Sequence, residues 1–156
     1  MRHPTPAIIF RATLLTALLA AAGCGSSGSS DAAAKFTGAW TFNPGTATCT
    51  TGGLSFPVTG LAVTITETDS MHIALSAGSG CTINFSVSGA SATAASGQSC
   101  TLEFSGVSQT ITVSSWTLMI AGDHIDNNAS GTATICPLTV TGTLVKGTPD
   151  AGAAHD

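Results

Sequence analysis

Few side chains of this sequence could do chemistry, and one candidate group combines an acid, a hydroxyl and a base. Asp69, Ser70 and His72 stand within four consecutive positions. In nucleophilic catalysis the acid orients the base, and the base activates the hydroxyl through a hydrogen bond. Residues this close together in a tight turn do not have that geometry. We therefore predict that His72 lies on the outward face of a strand and has a structural or surface role.

A second polar group covers residues 123–128 and reads Asp-His-Ile-Asp-Asn-Asn. Oxygen-bearing side chains of this kind can hold calcium, but the group lacks the alternating order of an EF-hand loop. Aspartate and asparagine also favour turns, because their side chains bond to nearby backbone groups. We predict a turn at this position and no metal site.

The remaining acids of the central region are isolated in sequence. Glu67 and Glu103 each stand alone on a predicted strand, and nothing in the sequence brings them together as the pair that glycoside hydrolysis uses. Without a nucleophile–base constellation, we predict no catalytic residue, no cofactor and no enzymatic activity.

Charge is scarce, and this excludes some partners. Residues 36–145 contain no Lys or Arg, and their charged residues are all acidic: Glu67, Asp69, Glu103, Asp123 and Asp126. Nucleic-acid binding depends on Lys and Arg to neutralise phosphates, so we exclude that partner. The span also offers no cationic clamp for a phosphate or carboxylate ligand, and no basic residue to pack over Trp40.

The elements that must position these residues are strands. Apolar residues alternate with Thr and Ser, and Gly or Ser interrupts the pattern every eight to twelve residues. The alternating runs are 61–66, 71–75, 81–87, 90–94, 100–104, 111–113, 116–120, 131–136 and 138–144. We predict an all-β domain with eight to ten antiparallel strands. Closure into an up-and-down barrel would remove exposed edges, and a β-sandwich is the alternative.

Cysteine usage indicates an oxidising compartment. The chain has five cysteines, and four of them lie in the β-domain: Cys49, Cys81, Cys100 and Cys136. An even number in an exported domain predicts two disulfides rather than a metal site, and no CxxC motif is present. We favour Cys49–Cys136, which would join the two ends of a barrel, with Cys81–Cys100. The other two connectivities remain open.

The first residues of the sequence predict a leader. Basic residues precede an apolar stretch at 12–22, which is typical of a secretory signal peptide and too short to span a membrane. Ala21-Ala22-Gly23-Cys24 then resembles the bacterial lipobox. The resemblance implies that Cys24 is diacylated and begins the mature chain. Since no acidic residue follows Cys24 directly, it also implies an outer-membrane location. Ordinary cleavage after Ala22, which would leave Cys24 a free thiol, is the alternative.

Composition divides the chain into four parts. We predict a signal peptide (1–23), a lipidated cysteine with a flexible Gly/Ser-rich tether (24–35), a β-barrel domain (36–146) and a disordered tail (147–156). The third part is long enough to bury a core of its own. This arrangement resembles that of small bacterial lipoproteins with a four-cysteine β-domain.

The first predicted strand carries a second resemblance. Gly38-Ala39-Trp40 is similar to the GxW motif of lipocalins and avidins, whose first strand lays a tryptophan across the closed end of a barrel. If the barrel is wide enough, Trp40, Phe85, Phe104 and Trp116 would line an apolar ligand cavity. The alternative for both tryptophans is a purely structural role in the core.

These observations together predict a class of protein rather than an activity. We expect a noncatalytic module of the cell envelope, structural or protein-binding, that is held to the membrane through Cys24. The alternative is a lipocalin-like carrier of a hydrophobic small molecule. The expected partners are therefore a membrane and either an envelope protein or an apolar ligand.

Overall fold

The computed structural model describes residues 32–104 and 107–147, without the side chains of residues 103, 104 and 107. The predicted signal peptide, the lipobox with Cys24, and residues 148–156 of the predicted tail lie outside this range. Within the described range, no helix is long and apolar enough to cross a membrane.

The described residues form one short 3-10 turn, Ala34–Phe36, followed by ten strands. The strands are β1 (Gly38–Cys49), β2 (Leu54–Pro57), β3 (Ala62–Asp69), β4 (His72–Ala77), β5 (Cys81–Ser88), β6 (Ser91–Ala94), β7 (Ser99–Phe104), β8 (Val107–Ala121), β9 (His124–Ala133) and β10 (Pro137–Lys146).

The strands close into an antiparallel barrel. Eight of them form the ring β1-β3-β4-β5-β6-β8-β9-β10, and β10 pairs back onto β1. The predicted all-β barrel is thereby confirmed, and the sandwich alternative is wrong. Closure satisfies the outer hydrogen-bonding groups of the first and last strands, which an open sheet would leave exposed.

Two strands stand outside the ring because β1 and β8 are long. The first part of β1 pairs with β3 and its last part with β2. In the same way, β8 pairs with β7 near its start and with β6 further along. Thus β2 extends the wall beyond β3, and β7 extends it beyond β6.

The core follows from the alternation of residues along each strand. In β5, all four apolar side chains from Cys81 to Val87 are buried, and the four polar ones between and after them are exposed. Residues at these inward positions include Ile65, Ile73, Leu75, Ile83, Phe85, Leu118, Ile125 and Leu144, each at most 1% exposed. Burial of each such side chain stabilises the fold by about 1.5–3 kcal/mol.

The predicted turn at 123–128 is wrong for most of its length. The turn is confined to Gly122 and Asp123, and His124 already begins β9. Inward-facing Ile125 and Asn127 alternate with exposed acids and amides, which is a strand pattern. Residue types that favour turns occupy a strand here, because burial of Ile125 in the core determines which side chains of β9 face inward.

The strands on either side also differ from the sequence-based expectation. The runs at 111–113 and 116–120 belong to one strand, β8, which contains an irregularity between Val113 and Ser115. This bulge brings both Val113 and Trp116 to the inner side, although their spacing does not fit a period of two. Conversely, the expected strand at 131–136 is the end of β9 followed by a turn.

We call the end of the barrel at which β1 begins the lower end, and the end at which β1 finishes the upper end. The Ala34–Phe36 turn and the β3–β4 and β8–β9 turns lie at the lower end. There Ala33 and Phe36 are fully buried in the core. The core therefore includes Ala33, which lies in the predicted tether, as well as Phe36.

Candidate functional site

The Asp69–His72 pair closes the turn between β3 and β4. His72 Nδ1 lies 2.8 Å from Asp69 Oδ1, and the Met71 backbone N–H donates to the same oxygen at 2.9 Å. The Met71 N–H, followed by the His72 side chain, holds the pKa of Asp69 below its usual value. Both side chains are more than half exposed. The pair therefore caps a turn in water rather than forming a desolvated relay.

His124 lies between two carboxylates at the start of β9. Its Nδ1 is 3.2 Å from Asp123 Oδ1, and its Nε2 is 3.7 Å from Asp126 Oδ1. The hydrogen bond from His124 lowers the pKa of Asp123. Among the described residues, no three His, Cys, Asp or Glu side chains converge as a metal site would need.

The acids of β3 and β7 belong to different parts of the barrel. Glu67 lies near the lower end of β3, where that strand turns into β4. Glu103 belongs to β7 and lies near the end of that strand, at the upper end of the barrel. The structure thus does not bring these two positions together.

Two disulfides tie the wall, and they are the pairs favoured from sequence. The closure disulfide, Cys49–Cys136, joins the end of β1 to the turn before β10 across 87 residues, with a Cα–Cα distance of 5.6 Å. The hairpin disulfide, Cys81–Cys100, joins the start of β5 to β7 across 19 residues, at 4.5 Å. Both lie toward the upper end.

Trp40 lies in the floor of the barrel at the lower end. Its side chain is 3% exposed, and its Nε1 donates a hydrogen bond to the Phe36 carbonyl at 2.8 Å. The expectation that no basic residue covers it is wrong, since Lys146 Nζ lies 5.4 Å from the ring centroid. Lys146 falls just past the span without cations, and the pairing of β1 with β10 places it directly opposite Trp40.

An apolar cavity occupies the upper half of the interior. Its lining residues come from most strands of the wall: Phe42, Val58, Leu61, Val63, Leu75, Ala77, Cys100, Leu102, Ile111, Val113, Trp116, Ala129, Ser130, Gly131, Leu138 and Val140. Its volume is about 60 Å³. Pockets for drug-sized ligands measure about 300–1,000 Å³, so side chains fill most of this barrel.

The four aromatic residues proposed as a cavity lining are not all together. Trp116 lines the cavity, and Phe85 packs its ring edge-to-face against Trp116 with centroids 5.6 Å apart. Trp40 lies at the floor, outside the cavity lining. The side chain of Phe104 is not among those described. The structure therefore brings one pair of these aromatics together.

A buried amide network, which the sequence interpretation missed, holds Trp116. Trp116 Nε1 donates to Asn127 Oδ1 at 2.7 Å, and Asn127 Nδ2 donates to the Val140 carbonyl at 3.0 Å. Asn127 is 4% exposed and is the one buried polar residue in the described part of the chain. The signal was its position midway between Ile125 and Ala129 on the inward phase of β9.

Comparison with known proteins adds no family to this description. The chain matches no protein-family model, no curated protein and no solved structure. The chemistry of the chain itself is therefore what indicates its function.

Proposed function

We propose that this protein is a lipid-anchored protein of the cell envelope whose barrel is a noncatalytic interaction module. The observation that carries the proposal is the sequence at the N-terminus, where a signal-peptide-like leader meets Ala-Gly-Cys24 and a Gly/Ser-rich tether. Acylation of Cys24 would hold the chain at a bilayer, because two acyl chains anchor stably. We propose the outer membrane, since Gly25 rather than an acid follows the cysteine.

The two disulfides support an extracytoplasmic location for the domain. Disulfides persist in oxidising compartments such as the bacterial periplasm or the cell surface and are rare in the cytosol. Here both of them tie strands together toward the upper end of the wall.

The chemistry of the described side chains supports a noncatalytic role. Both His–Asp groups lie at exposed turns of the lower end, and the apolar cavity contains none of them. A catalytic acid or base is usually found where a cleft desolvates it and changes its pKa toward its task. These observations therefore favour binding of a partner at the barrel surface over catalysis.

The test is the intact mass of the protein purified from its own membranes, under denaturing and nonreducing conditions. We expect a chain that begins at Cys24, carries acyl chains, and lacks two hydrogens for each of the two disulfides. A Cys24→Ser variant is the matched control and should lose the acyl mass and leave the membrane fraction. An unacylated chain that begins before Cys24 would contradict the proposal.

The apolar cavity favours a second candidate, a carrier of a small hydrophobic molecule. At about 60 Å³ the cavity accepts a ligand much smaller than a lipid. Native mass spectrometry separates the two functions. A bound mass that disappears on denaturation would favour the carrier, and a Trp116→Ala variant should then alter its retention. A native mass equal to the denatured mass favours the interaction module.

A further inference from the structure

The two lysines of the chain meet at the lower end of the barrel. Lys35 and Lys146 flank the span without Lys or Arg, and no other Lys or Arg follows Cys24 in the sequence. The Ala34–Phe36 turn places Lys35 at the lower end. The pairing of β10 with β1 places Lys146 there as well, opposite Trp40. Closure of the barrel therefore brings together two cations that are far apart in sequence.

Both lysines line one recess in the surface of the lower end, which we call the lysine recess. Its lining also includes Trp40, Asp123 and His124, and it holds about 600 Å³ open to solvent. The face of Trp40 attracts the Lys146 ammonium, whose Nζ lies 5.4 Å from the ring centroid. No residue lines both this recess and the apolar cavity of the upper half. The two spaces are thus separate.

The charged groups of the recess differ in their partners. Neither lysine amine forms an ion pair with a carboxylate of the described residues. Asp123 contacts His124 Nδ1, and its side chain is fully exposed. Asp126, on the other side of His124, is not part of the lining. The recess therefore presents two ammonium groups without ion pairs and one accessible carboxylate.

This set of charges disfavours a simple ion as the ligand. An anion attracted by the two lysines would be repelled by Asp123, and a cation attracted by Asp123 would be repelled by the lysines. A molecule with an anionic phosphate at one end and a primary ammonium at the other avoids both repulsions. Its phosphate would accept from the lysines, which bind phosphate as point charges, and its ammonium would donate to the carboxylate.

We propose that the lysine recess binds an aminoalkyl phosphate. The phosphate lies between Lys35 and Lys146, and the ammonium lies on Asp123. The headgroup of phosphatidylethanolamine has this chemistry, and so does a free phosphate ester of ethanolamine.

The position of the recess favours a lipid as the source of this group. Ala33 and Phe36 pack into the core at the lower end, so the chain enters the barrel beside the recess. From Cys24 to Ala33 the chain spans at most about 30 Å. This step rests on the proposed function, because acyl chains on Cys24 would then hold the lower end near the lipid headgroups.

The first arm of the experiment uses the full-length protein in nonionic detergent micelles, with glycerophosphoethanolamine as the probe. Glycerophosphoglycerol, which keeps the phosphodiester but lacks the ammonium, is the control ligand. The readout is the NMR shift of the backbone amides of Asp123 and Lys146. We expect a Kd of about 1 mM for the ethanolamine probe and about tenfold weaker binding of the control, because Asp123 then lacks its partner.

Three variants assign the contacts. Lys35→Gln changes an exposed side chain and should weaken binding of both probes about tenfold. Asp123→Asn should bring the two probes to about equal affinity, because the ammonium then loses its charged acceptor. Asp69→Asn removes a carboxylate outside the recess, at the β3–β4 turn, and should leave both affinities unchanged.

The second arm identifies the source of the ligand. Phosphatidylethanolamine or phosphatidylglycerol is added to the same micelles, and native mass spectrometry records which lipid the protein retains. We expect retention of the ethanolamine lipid, and about tenfold less of it on Lys35→Gln. If neither lipid is retained while the soluble probe still binds, the recess takes a free aminoalkyl phosphate.

Three results would overturn the proposal for the lysine recess. These are no shift at about 10 mM glycerophosphoethanolamine, equal binding of the two soluble probes by the wild type, or unchanged binding by Lys35→Gln. None of them depends on Cys24, because the soluble probe needs no membrane. Failure of the recess is thus distinguishable from failure of the anchor, which the acylated mass tests.

Discussion

The buried amide of Asn127 makes two hydrogen bonds in the barrel interior, and its removal is a sharp test of their contribution to stability. In an Asn127→Ala variant, the Trp116 indole N–H loses its acceptor and the Val140 carbonyl loses a donor. The alanine side chain can replace neither hydrogen bond. Because Asn127 is 4% exposed, water reaches the site poorly and compensates little.

The magnitude follows from these two bonds. A buried donor without a partner costs about 1–3 kcal/mol, and a lost amide–carbonyl bond costs about 1 kcal/mol more. The carbonyl has a second lone pair, which limits its share. We expect Asn127→Ala to lower the free energy of unfolding by about 2–4 kcal/mol, out of the roughly 5–15 kcal/mol of a typical domain.

The assay is urea unfolding of the oxidised protein, followed by tryptophan fluorescence and by circular dichroism. Asn128→Ala, an exposed neighbour on β9, is the matched control and should change the unfolding free energy by less than about 0.5 kcal/mol. A double variant, Trp116→Phe with Asn127→Leu, removes both polar partners and should cost less than Asn127→Ala alone. Equal effects of Asn127→Ala and Asn128→Ala would refute this reasoning.

Three further predictions concern the wall and its turns. Replacing both cysteines of the closure disulfide by alanine should lower the free energy of unfolding by about 4–5 kcal/mol, and the same change in the hairpin disulfide should lower it by about 3 kcal/mol. The difference arises because the first disulfide closes the longer loop. The reverse order of the two losses in urea unfolding would contradict this. Gly142→Ala should lower the stability measured by thermal unfolding by about 1–3 kcal/mol, because an added Cβ meets the Pro44 carbonyl across the β1 bulge. Its control, Thr141→Ala, should have little effect. The lowered pKa of Asp69 gives its carboxylate a stabilising effect that is present above the ordinary value of 3.8 and lost as the pH falls through the lower folded value. Wild type should therefore exceed Asp69→Asn in stability at pH 6, and the difference should shrink toward pH 2; a constant difference would contradict it.

Local pattern was sufficient for the class of fold and for much of the core. Successive side chains along a strand point to opposite faces, so the burial of residues such as Ile83 and Phe85 can be predicted from the polar residues on either side of them. The even count of cysteines in an alternating domain likewise predicted two disulfides. The same local reasoning failed at His124–Asn128, where turn-forming residue types occupy a strand.

Contacts between distant strands required the tertiary structure. Lys146 covers Trp40 because β10 closes onto β1 in one particular register, and no local feature of either strand specifies that register. Asn127 meets Trp116 for the same reason, through the pairing of β8 with β9. A shift of one residue in a strand pair would turn each of these side chains to the other face.

The sequence by itself determined that this protein is a charge-poor β-domain with paired cysteines and alternating strands. The tertiary structure decided that side chains nearly fill the interior of the barrel. Alternation assigns each residue to a face, but interior volume and wall height depend on strand lengths and stagger around the whole ring. Those quantities arise from long-range pairing, which no short stretch of the chain encodes.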